Sequence, residues 1–599
     1  MTSDILDWTP QGHPRSKLYG DVYFSTEDGL AESRAVFLEG CGLPLAWQGR
    51  KSFTVGELGF GTGLNILALL DLWRRTAEPD ARLQVFSVEA HLITAEEAAR
   101  ALSQWPELAD LAATLLSRWP SKARGFHRID LPEYRATLDL ALMGANQALA
   151  TWAGSADAWF LDGFSPALNP DMWTPGLMAL VARQSALGAR VATFTVAGEV
   201  RRGLQAAGFS TAKQPGYGRK RERLEASLPG HAETARQPIV AIVGAGIAGA
   251  SLARAFDALG ITPLIFEAEV PGAGASGNPA ALVMPRLDAG LAAPAELATH
   301  AFRRAVALYT QHPDAIIAKG VLQLASDDED VRRFAKIASS DLFPTASMVP
   351  VDAATAATLL GEASESGGLF VTEALVIEPG NILQAWLGPI SPHAVDRLTH
   401  QGGRWQLIGR DGAVLGRADV VILACAMDTV RLTPDAALLP VRGQASWTVG
   451  GRDVTPVSRS GYLLPSRDGL LFGATHDRGE TDSDPRPEDD ARNRQSLAAL
   501  RPKLAASIAE TPLRARASIR ATTTDYMPLA GQASQPGLFL LTGLGSRGFS
   551  WAPALAEHVT ALVTGTASPL PTTLSALVDP ARFARRAARK GRNSVAEPR

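Results

Sequence analysis

Short apolar runs rich in β-branched residues alternate along this chain with stretches whose apolar residues recur at helical spacing. In the first half the predicted strands cover 51–58, 83–88, 157–162 and 190–196, and a helix is predicted from 199 to 207. In the second half, strands at 239–243 and 264–266 flank a predicted helix. This order predicts parallel sheets covered by helices, with ligand sites at the carboxyl ends of the strands.

The second half also contains a different pattern. Short alternating strands are predicted within 320–349 and 440–475, including 444–449 and 462–464, and a helix is predicted over 295–309. Alternation of this kind is typical of an antiparallel sheet with one solvated face, here inserted into a dinucleotide-binding fold. The run 419–424 is predicted to be a buried strand that returns to the parallel sheet and leads to the cofactor, and another apolar run, 538–541, stands near the end of the chain.

Local amino-acid composition indicates where the domain boundaries lie. Residues 226–237 are rich in proline, glycine and polar residues without periodicity, which indicates a linker. The predicted organisation is therefore a first domain over 1–225, a linker over 226–237, a second domain over 238–575 and a basic tail over 576–599.

Bulk numbers exclude several classes of protein. The 599 residues are 46% hydrophobic and 20% charged, with a formal net charge of -3, so nucleic-acid binding would depend on local basic patches. Cys41 and Cys425 form no metal-binding or disulfide pattern, and no metal site is predicted. The chain starts without an apolar signal core and has no run of membrane-spanning length. We expect a cytoplasmic protein in a reducing compartment, without membrane association.

The clearest motif lies at the start of the second domain. Gly244, Gly246 and Gly249 form G-x-G-x-x-G between a predicted strand and a predicted helix. Glu267 ends the next strand about twenty residues downstream, where an acid accepts hydrogen bonds from a ribose. Strand, loop, helix, strand and acid in this order predict a dinucleotide site. The alternative is a glycine-rich turn that binds nothing.

A second glycine loop occurs in the first domain. Glu57 precedes Gly59, Gly61 and Gly63, and the strand that follows ends at Glu89. Such a loop brings backbone close to a small charged ligand, and Glu57 can compensate a positive centre beside it. Glu89 is placed to bind a ribose. The alternative is a nucleotide site of another kind.

Asp162 and Phe164 follow a later strand, in an aromatic and proline-containing loop. Because the strands are predicted to be parallel, Asp162 lies at the same sheet edge as Glu57 and Glu89. Asp162 and Phe164 are therefore candidate site residues. The alternatives are a helix-capping acid and an aromatic residue of the core.

This first domain resembles the class I S-adenosylmethionine-dependent methyltransferases, with E-L-G-F-G-T-G-L-N and L-D-G-F-S-P-A-L-N-P-D-M-W as the motifs that carry the resemblance. This resemblance implies a Rossmann-like methyltransferase fold that binds S-adenosylmethionine through the glycine loop, Glu57 and Glu89.

Two small-residue loops complete the second domain. Ser276 and Asn278 lie in G-A-S-G-N, and Gly545, Arg547 and Gly548 lie in G-L-G-S-R-G-F, which opens the last predicted helix. The order of these motifs after G-x-G-x-x-G resembles the D-amino-acid oxidase and glycine oxidase family of FAD enzymes. The resemblance implies an FAD-binding Rossmann fold with an inserted antiparallel sheet for substrate, and FAD as the cofactor.

Arg520 and Arg547 are the candidate substrate-binding residues of this domain. The resemblance places Arg520 where relatives hold a substrate carboxylate, and an arginine fork binds a carboxylate bidentately. The alternatives are an ion pair between Arg520 and Asp525 and a loop-stabilising contact of Arg547. The segment 442–444 resembles the strand that enters the flavin face, although Gly443 alone would also suit a crowded turn.

Basic residues cluster at 218–223 and in the tail, at Arg582, Arg585, Arg586, Arg589, Lys590 and Arg592. Either cluster is suited to a phosphodiester backbone, and a solvated surface is the alternative for both.

The two motif sets together, in this order, resemble a family of bifunctional enzymes that modify the wobble uridine of tRNA. The resemblance implies tRNA as the partner and FAD-dependent removal of a carboxymethyl group from a uridine amine, followed by methylation of that amine. In the methylation, Asp162 is the candidate to accept a proton or orient the amine, and Phe164 is the candidate to stack on the uracil. No obligatory protein partner is expected. The alternatives are a small-molecule amine oxidase fused to an unrelated methyltransferase, and an RNA-binding protein whose flavin senses redox state.

Overall fold

In the computed structural model, residues 5–218, 220–231, 236–451 and 453–595 are described. The chain forms two compact units, Met1–Arg236 with Thr566–Thr572 and Gln237–Gly565 with Thr573–Arg599. Unit 1 is therefore built from two separate stretches of chain. Arg219 of the first basic cluster and residues 232–235 of the predicted linker lie outside the described residues, as do the side chains of Arg589, Lys590 and Arg592.

Unit 1 is an α/β structure. Its strands are β1 (Leu6–Trp8), β2 (Pro14–Ser16), β3 (Ser52–Leu58), β4 (Arg82–Glu89), β5 (Gly125–Leu131), β6 (Ala136–Leu142), β7 (Ala156–Leu161), β8 (Ser185–Thr193), β9 (Ser210–Pro215) and β10 (Glu222–Ser227). Its helices are α1 (Gly29–Glu32), α2 (Leu64–Thr76), α3 (Ala95–Leu102), α4 (Ala109–Ser117), α5 (Ala145–Thr151), α6 (Pro175–Arg183) and α7 (Gly198–Ala206), with a π-helix at Ser33–Glu39.

The main sheet of unit 1 has the order β5-β6-β4-β3-β7-β8-β10-β9. Strands β6, β4, β3, β7 and β8 are parallel, and β5, β10 and β9 are antiparallel to their neighbours. The apolar runs that predicted β3, β4 and β7 are buried on both faces, as a parallel sheet covered by helices requires. The predicted strand at 190–196 belongs to a longer strand, β8, that starts earlier and ends at Thr193.

Unit 2 contains β11 (Val240–Val243), β12 (Leu264–Phe266), β13 (Ala281–Val283), β14 (Ile316–Leu324), β15 (Met348–Val351), β16 (Gly368–Ile377), β17 (Ile390–Ser391), β18 (Val395–Gln401), β19 (Arg404–Gly409), β20 (Val414–Ala418), β21 (Val420–Leu423), β22 (Leu439–Trp447), β23 (Val457–Ser458), β24 (Tyr462–Pro465), β25 (Leu470–Gly473), β26 (Asp477–Arg478), β27 (Arg514–Thr522), β28 (Leu529–Gln532) and β29 (Leu538–Thr542). Its helices are α8 (Ile247–Asp257), α9 (Ala293–Tyr309), α10 (Asp328–Ala338), α11 (Ala353–Leu360), α12 (Pro379–Trp386), α13 (Thr429–Leu432), α14 (Pro487–Leu500), α15 (Pro502–Ser507), α16 (Gly548–Thr564), α17 (Thr572–Ser575) and α18 (Arg582–Val595).

Two large sheets organise unit 2. The first has the order β17-β12-β11-β21-β29-β28 and is parallel except for β28. The second is a ten-stranded, mainly antiparallel sheet that includes β22, β24, β25 and β27. A Rossmann sheet with an inserted antiparallel sheet was predicted, and both are present. The short strands predicted within 320–349 are present only at its two ends, as parts of β14 and β15, because α10 occupies its centre and packs Phe334 and Ile337 inward.

No helix in the described ranges is both long enough and apolar enough to cross a lipid bilayer.

Candidate active sites

In unit 1 the glycine loop lies between the end of β3 and the start of α2. Gly59, Gly61 and Gly63 all have positive φ, at +87°, +55° and +81°, a region that residues with a side chain rarely adopt. A methyl group on Gly59 would come within 3.1 Å of the backbone nitrogen of Gly163 in the loop after β7. The glycines therefore let the two loops at this sheet edge pass close to each other.

Glu89, at the end of β4, holds this loop in place. Its carboxylate accepts hydrogen bonds from the backbone N–H of Gly61 at 2.9 Å and of His91 at 2.7 Å. Unit 2 has the same arrangement, in which Glu267 accepts from the N–H of Ala245 at 2.7 Å. In each unit, the glutamate at the end of the strand that follows the glycine loop and its helix fixes that loop by accepting a backbone hydrogen bond from it.

The acids Glu57 and Asp162 lie at the ends of neighbouring strands, since β3 pairs with β7 in parallel. Glu57 is fully buried and accepts a hydrogen bond from the hydroxyl of Ser87. Burial raises the pKa of Glu57 to about 8 and the pKa of Asp162 to about 7. An acid with a pKa near 7 is suited to exchanging a proton with a substrate at neutral pH.

An aromatic cluster surrounds the loop after β7. The ring centroid of Phe164 is 4.8 Å from that of Tyr19 and 5.3 Å from that of Tyr23. The N–H of Ser165 donates to the carboxylate of Asp21 at 3.1 Å, so the N-terminal segment anchors this loop. Sequence reasoning missed Tyr19 and Tyr23 because the segment around them has no periodicity.

Phe164 is half-buried, and its carbonyl accepts a hydrogen bond from the indole N–H of Trp173 at 3.0 Å. Phe164 is therefore anchored through its backbone while the residue stays partly exposed. Two cations of the first basic cluster are paired with acids, Lys220 with Glu32 at 2.9 Å and Arg223 with Glu225 at 2.8 Å.

In unit 2 the glycine motif has the geometry that a dinucleotide pyrophosphate requires. Gly244 has a φ of +108°, and a methyl group on Gly249 would overlap the carbonyl oxygen of Gly244, so α8 packs directly on β11. Ser276 accepts a hydrogen bond from the N–H of Ile247, the first residue of α8, at 3.0 Å. The loop that carries Ser276 thus lies over the helix N-terminus, which is the end that attracts phosphates.

One cavity of about 1170 Å³ brings most of the predicted residues of this unit together. Its lining includes Gly244, Gly246, Glu267, Ser276, Asn278, Arg520, Gly545, Arg547 and Gly548. Of the predicted cofactor-binding residues in unit 2, Gly249 is outside this lining and acts through helix packing. A cavity of this size with a glycine cradle at one end fits FAD.

Arg520 lies on β27 opposite Val441 of β22, and its guanidinium donates to the carbonyl oxygen of Thr475 at 3.2 Å. A methyl group on Gly443 would overlap this guanidinium. Gly443 therefore makes room for Arg520 to lie across β22.

The alternative of an ion pair between Arg520 and Asp525 is wrong. Asp525 accepts from Arg582 at 3.0 Å and from Arg586 instead, and these arginines hold the pKa of Asp525 well below its usual range despite partial burial. The same contacts neutralise two of the cations in the basic tail, and Arg585 pairs with Asp579 at 2.6 Å.

Arg547 lies in the short turn that leads into α16, where burial and the nearby Arg286 lower the pKa of its guanidinium. Within the described ranges, neither Arg547 nor Arg520 forms a salt bridge with an acid. Arg286, Tyr462 and His476 also line the cavity, and sequence reasoning missed all three as site residues. Nothing in the local pattern marks Arg286, whereas Tyr462 begins a strand that was predicted.

Comparisons with known proteins identify the family of each unit. The family model for FAD dependent oxidoreductases matches residues 240–562, and a family model for S-adenosyl-L-methionine-dependent methyltransferases matches residues 106–229. The solved structure of L-proline dehydrogenase from P. horikoshii shares the fold of the oxidoreductase unit, with a TM-score of 0.50 at 16% identity over 58% of this chain and 98% of that one. The protein is thus an enzyme with an FAD-dependent oxidoreductase unit and an S-adenosylmethionine-dependent methyltransferase unit.

Curated relatives define the family more closely. The protein named tRNA 5-methylaminomethyl-2-thiouridine biosynthesis bifunctional protein MnmC from Caulobacter sp. (strain K31) is 55% identical, covering 98% of this chain and 99% of the relative. The protein of the same name from Maricaulis maris (strain MCS10) is 40% identical, covering 99% and 98%. The chain belongs to the MnmC family of bifunctional proteins.

Proposed function

We propose that this enzyme performs two consecutive reactions on the wobble uridine of tRNA. The oxidoreductase unit removes the carboxymethyl group of 5-carboxymethylaminomethyl-(2-thio)uridine to give 5-aminomethyl-(2-thio)uridine. The methyltransferase unit then converts this amine to 5-methylaminomethyl-(2-thio)uridine. Close similarity over nearly the full length to proteins named for this biosynthesis supports the proposal. A tRNA substrate places the enzyme in the cytoplasm.

The observation that carries the oxidative step is a single cavity with an FAD-type glycine cradle and two arginines that have no acidic partner among the described residues. The residues that hold the cofactor are Gly244, Gly246, Gly249, Glu267, Ser276, Asn278, Gly545 and Gly548. Bound FAD supplies a two-electron oxidation of the substrate amine. Arg520 and Arg547 bind the carboxylate and so position the carbon–nitrogen bond. Hydrolysis of the oxidised amine releases glyoxylate.

In the methyltransferase unit, Glu57, Gly59, Gly61, Gly63 and Glu89 hold S-adenosylmethionine, which supplies the methyl group. An alkylamine is mostly protonated near neutral pH, and only its lone pair attacks the methyl carbon. Asp162 accepts the proton of the amine. Phe164 stacks on the uracil ring, which leaves the anticodon stack to reach this pocket.

Mass spectrometry of wobble nucleosides tests the proposal. The full-length enzyme is incubated with undermodified tRNA, and the nucleosides are measured with and without S-adenosylmethionine. Without it, the aminomethyl nucleoside should accumulate together with glyoxylate; with it, the methylaminomethyl nucleoside should replace it. Hydrogen peroxide from free glycine or sarcosine, with tRNA left unchanged, would instead identify a small-molecule amine oxidase.

The carboxylate clamp has its own test. Replacing Arg520 by Ala removes the guanidinium but leaves the glycine cradle intact. We expect KM for the carboxymethylated tRNA to rise by about tenfold or more while FAD remains bound, because a charged hydrogen-bonded pair is lost from substrate binding alone. An unchanged KM would contradict the assignment.

A further inference from the structure

Asn65, the second residue of α2, lies buried between two polar side chains at the methyltransferase site. Its side-chain nitrogen donates to the carboxylate Oδ2 of Asp162 at 2.8 Å. Its side-chain oxygen accepts from the hydroxyl of Ser33, which is itself buried. Ser33, Asn65 and Asp162 therefore form one continuous hydrogen-bonded row.

The orientation of the Asn65 amide follows from the chemistry of its neighbours. An ionised carboxylate can only accept hydrogen bonds, so the amide nitrogen must face Asp162. The amide oxygen is then left facing Ser33, whose hydroxyl donates to it. Ser33 thus stabilises the one orientation of Asn65 in which Asn65 donates to the carboxylate.

The second oxygen of Asp162 is also held. Oδ1 accepts a hydrogen bond from the backbone N–H of Gly163 at 2.8 Å. With one donor on each oxygen, the plane of the carboxylate is fixed, and lone pairs of both oxygens remain for a substrate amine.

Ser33 lies at the junction between helix α1 and a π-helix. It is the first residue of the π-helix at Ser33–Glu39, which continues directly from α1. A methyl group on Gly29 would meet Leu64 at 3.0 Å, so α1 packs closely against the first turn of α2, where Asn65 lies. Two elements from separate parts of the sequence are therefore needed to build the row.

We propose that Asn65, held in one orientation by Ser33, is a positioning residue that aligns Asp162 to take the proton of the substrate amine during methyl transfer. This inference rests on the proposed function of Asp162. The row gives the carboxylate a fixed direction before substrate binds, which is how a proton acceptor gains efficiency.

The groups around Asp162 determine how its pKa changes when the Asn65 hydrogen bond is lost. The pKa of Asp162 is raised to about 7, mainly by burial and to a smaller extent by Glu32 on α1, against the lowering effects of the hydrogen bonds from Asn65 and Gly163 and of the charge on Lys220. Glu57, near the end of β3, interacts with both Asp162 and Glu89, and a hydrogen bond from the Asn65 side chain lowers the pKa of Glu57 as well. Loss of the Asn65 donor therefore raises the pKa of Asp162, and the carboxylate forms only at higher pH.

The test measures single-turnover methyl transfer by the full-length enzyme as a function of pH, with aminomethyl tRNA as substrate. For Asn65→Ala we expect a loss of rate on the order of tenfold at neutral pH. The acidic limb of the pH profile should move up by about half a unit or more. Release of glyoxylate from carboxymethylated tRNA, which unit 2 catalyses, should be unchanged and serves as the internal control.

Ser33 supplies a matched pair of variants. Ser33→Ala removes the donor to Asn65 and should shift the acidic limb in the same direction by a smaller amount, whereas Ser33→Thr keeps the hydroxyl and should restore the wild-type limb. A wild-type limb in Asn65→Ala would overturn the inference even if the rate fell. If Asn65→Ala no longer binds S-adenosylmethionine, the two Ser33 variants decide the question. The inference would then be overturned if Ser33→Ala and Ser33→Thr had the same acidic limb in the pH profile of methyl transfer. Wild-type enzyme that never methylates aminomethyl tRNA would instead refute the proposed function.

Discussion

Single glycines decide where charged side chains can lie in this enzyme. Gly443 shows this most directly, because the guanidinium of Arg520 occupies the space in which a side chain at 443 would stand. The residue has no special backbone conformation, so its importance comes from space and not from φ.

We therefore expect Gly443→Ala to displace Arg520 and raise KM for carboxymethylated tRNA by about tenfold, with FAD still bound. Steady-state glyoxylate release and the flavin absorbance of the purified protein measure the two quantities. Gly388→Ala is the matched control, since a methyl group there meets nothing within 4 Å. Equal KM values for the two variants would show that Arg520 does not hold the carboxylate.

Asp162 is a second single residue from which a prediction follows, namely the pH dependence of methyl transfer. Its pKa of about 7 means that the carboxylate is largely protonated below neutral pH. If Asp162 accepts the amine proton, methyl transfer should rise with pH through about 7, and Asp162→Asn should remove both the rise and most of the rate. A profile that is flat from pH 6 to pH 8, about one unit on each side of that pKa, would exclude this role.

The sequence alone identified many of these residues as candidates for the two sites. The glycines of both loops, the acids at strand ends and the two arginines were all predicted from motif order or resemblance. Their partners were not, because Asn65, Ser33, Tyr19 and Thr475 reach the sites through packing between segments that are distant in the sequence.

At the scale of elements, strand β27 connects the ten-stranded sheet with the loop that carries Ser276. Arg516 on β27 donates to the carbonyl oxygens of Ala273 and of Gly274, the latter at 2.8 Å, in the loop that continues to Ser276. The same strand carries Arg520 four residues further along. One strand thus holds the loop that we propose binds FAD and carries the arginine that we propose binds the substrate.

Replacing Arg516 by Met should loosen the loop and weaken FAD binding on the order of tenfold, because hydrogen bonds from a charged group are lost. FAD affinity is measured by reconstitution of the apoprotein and fluorescence titration. Arg514→Met is the control, since Arg514 is exposed at the start of the same strand. Unchanged FAD affinity in Arg516→Met would contradict the role of this clamp.

Helix α14 is fixed to strand β22 by a buried ion pair. Arg442 is fully buried and pairs with Asp489 in the first turn of α14, while Gln444 donates to Asp490 at 2.8 Å. A buried charge left without its partner costs far more than the pair contributes.

Accordingly, Asp489→Asn should lower the free energy of unfolding of the oxidoreductase unit by about 3–5 kcal/mol. The measurement is denaturant unfolding followed by flavin fluorescence. Glu488→Gln removes a charge from the same turn at an exposed position, so it controls for the interaction with the helix dipole. If both variants unfold alike, the buried pair is not a major source of stability.

The strong periodic elements were predictable because their apolar runs match the buried faces. Strand β12 has the predicted bounds, and β11 differs by one residue. Helices α10 and α14 were not predicted. The first lies within a region interpreted as strands, and the second has a weakly apolar face that is defined by polar contacts with β22.

At the scale of the whole molecule, unit 1 includes a short segment, Thr566–Thr572, from near the end of the chain. Ala567 is buried in the core of unit 1, where its N–H donates to Gln84 at 3.2 Å and its carbonyl accepts from Arg128 at 3.2 Å. Unit 1 therefore includes a core segment that lies far from the rest of the unit in the sequence.

This arrangement predicts that Ala567→Asp impairs methylation selectively. A charge buried in this core should lower the melting temperature of unit 1 by several degrees, on the order of 5 °C, while flavin retention and glyoxylate release stay normal. Leu562→Asp, at an exposed position on α16, is the control. If oxidation and methylation decline together in Ala567→Asp, the segment does not belong functionally to unit 1.

The order of motifs along the chain determined the fold class, the two cofactors and the family, because glycine loops, strand-end acids and apolar periodicity are local properties of a sequence. Only the tertiary structure decided which side chains face each other. It separated Arg520 from Asp525, placed Ser33 and Asn65 behind Asp162, and put residues 566–572 in the first unit. These contacts join segments far apart in the chain, and no local pattern specifies which distant segment a side chain will meet.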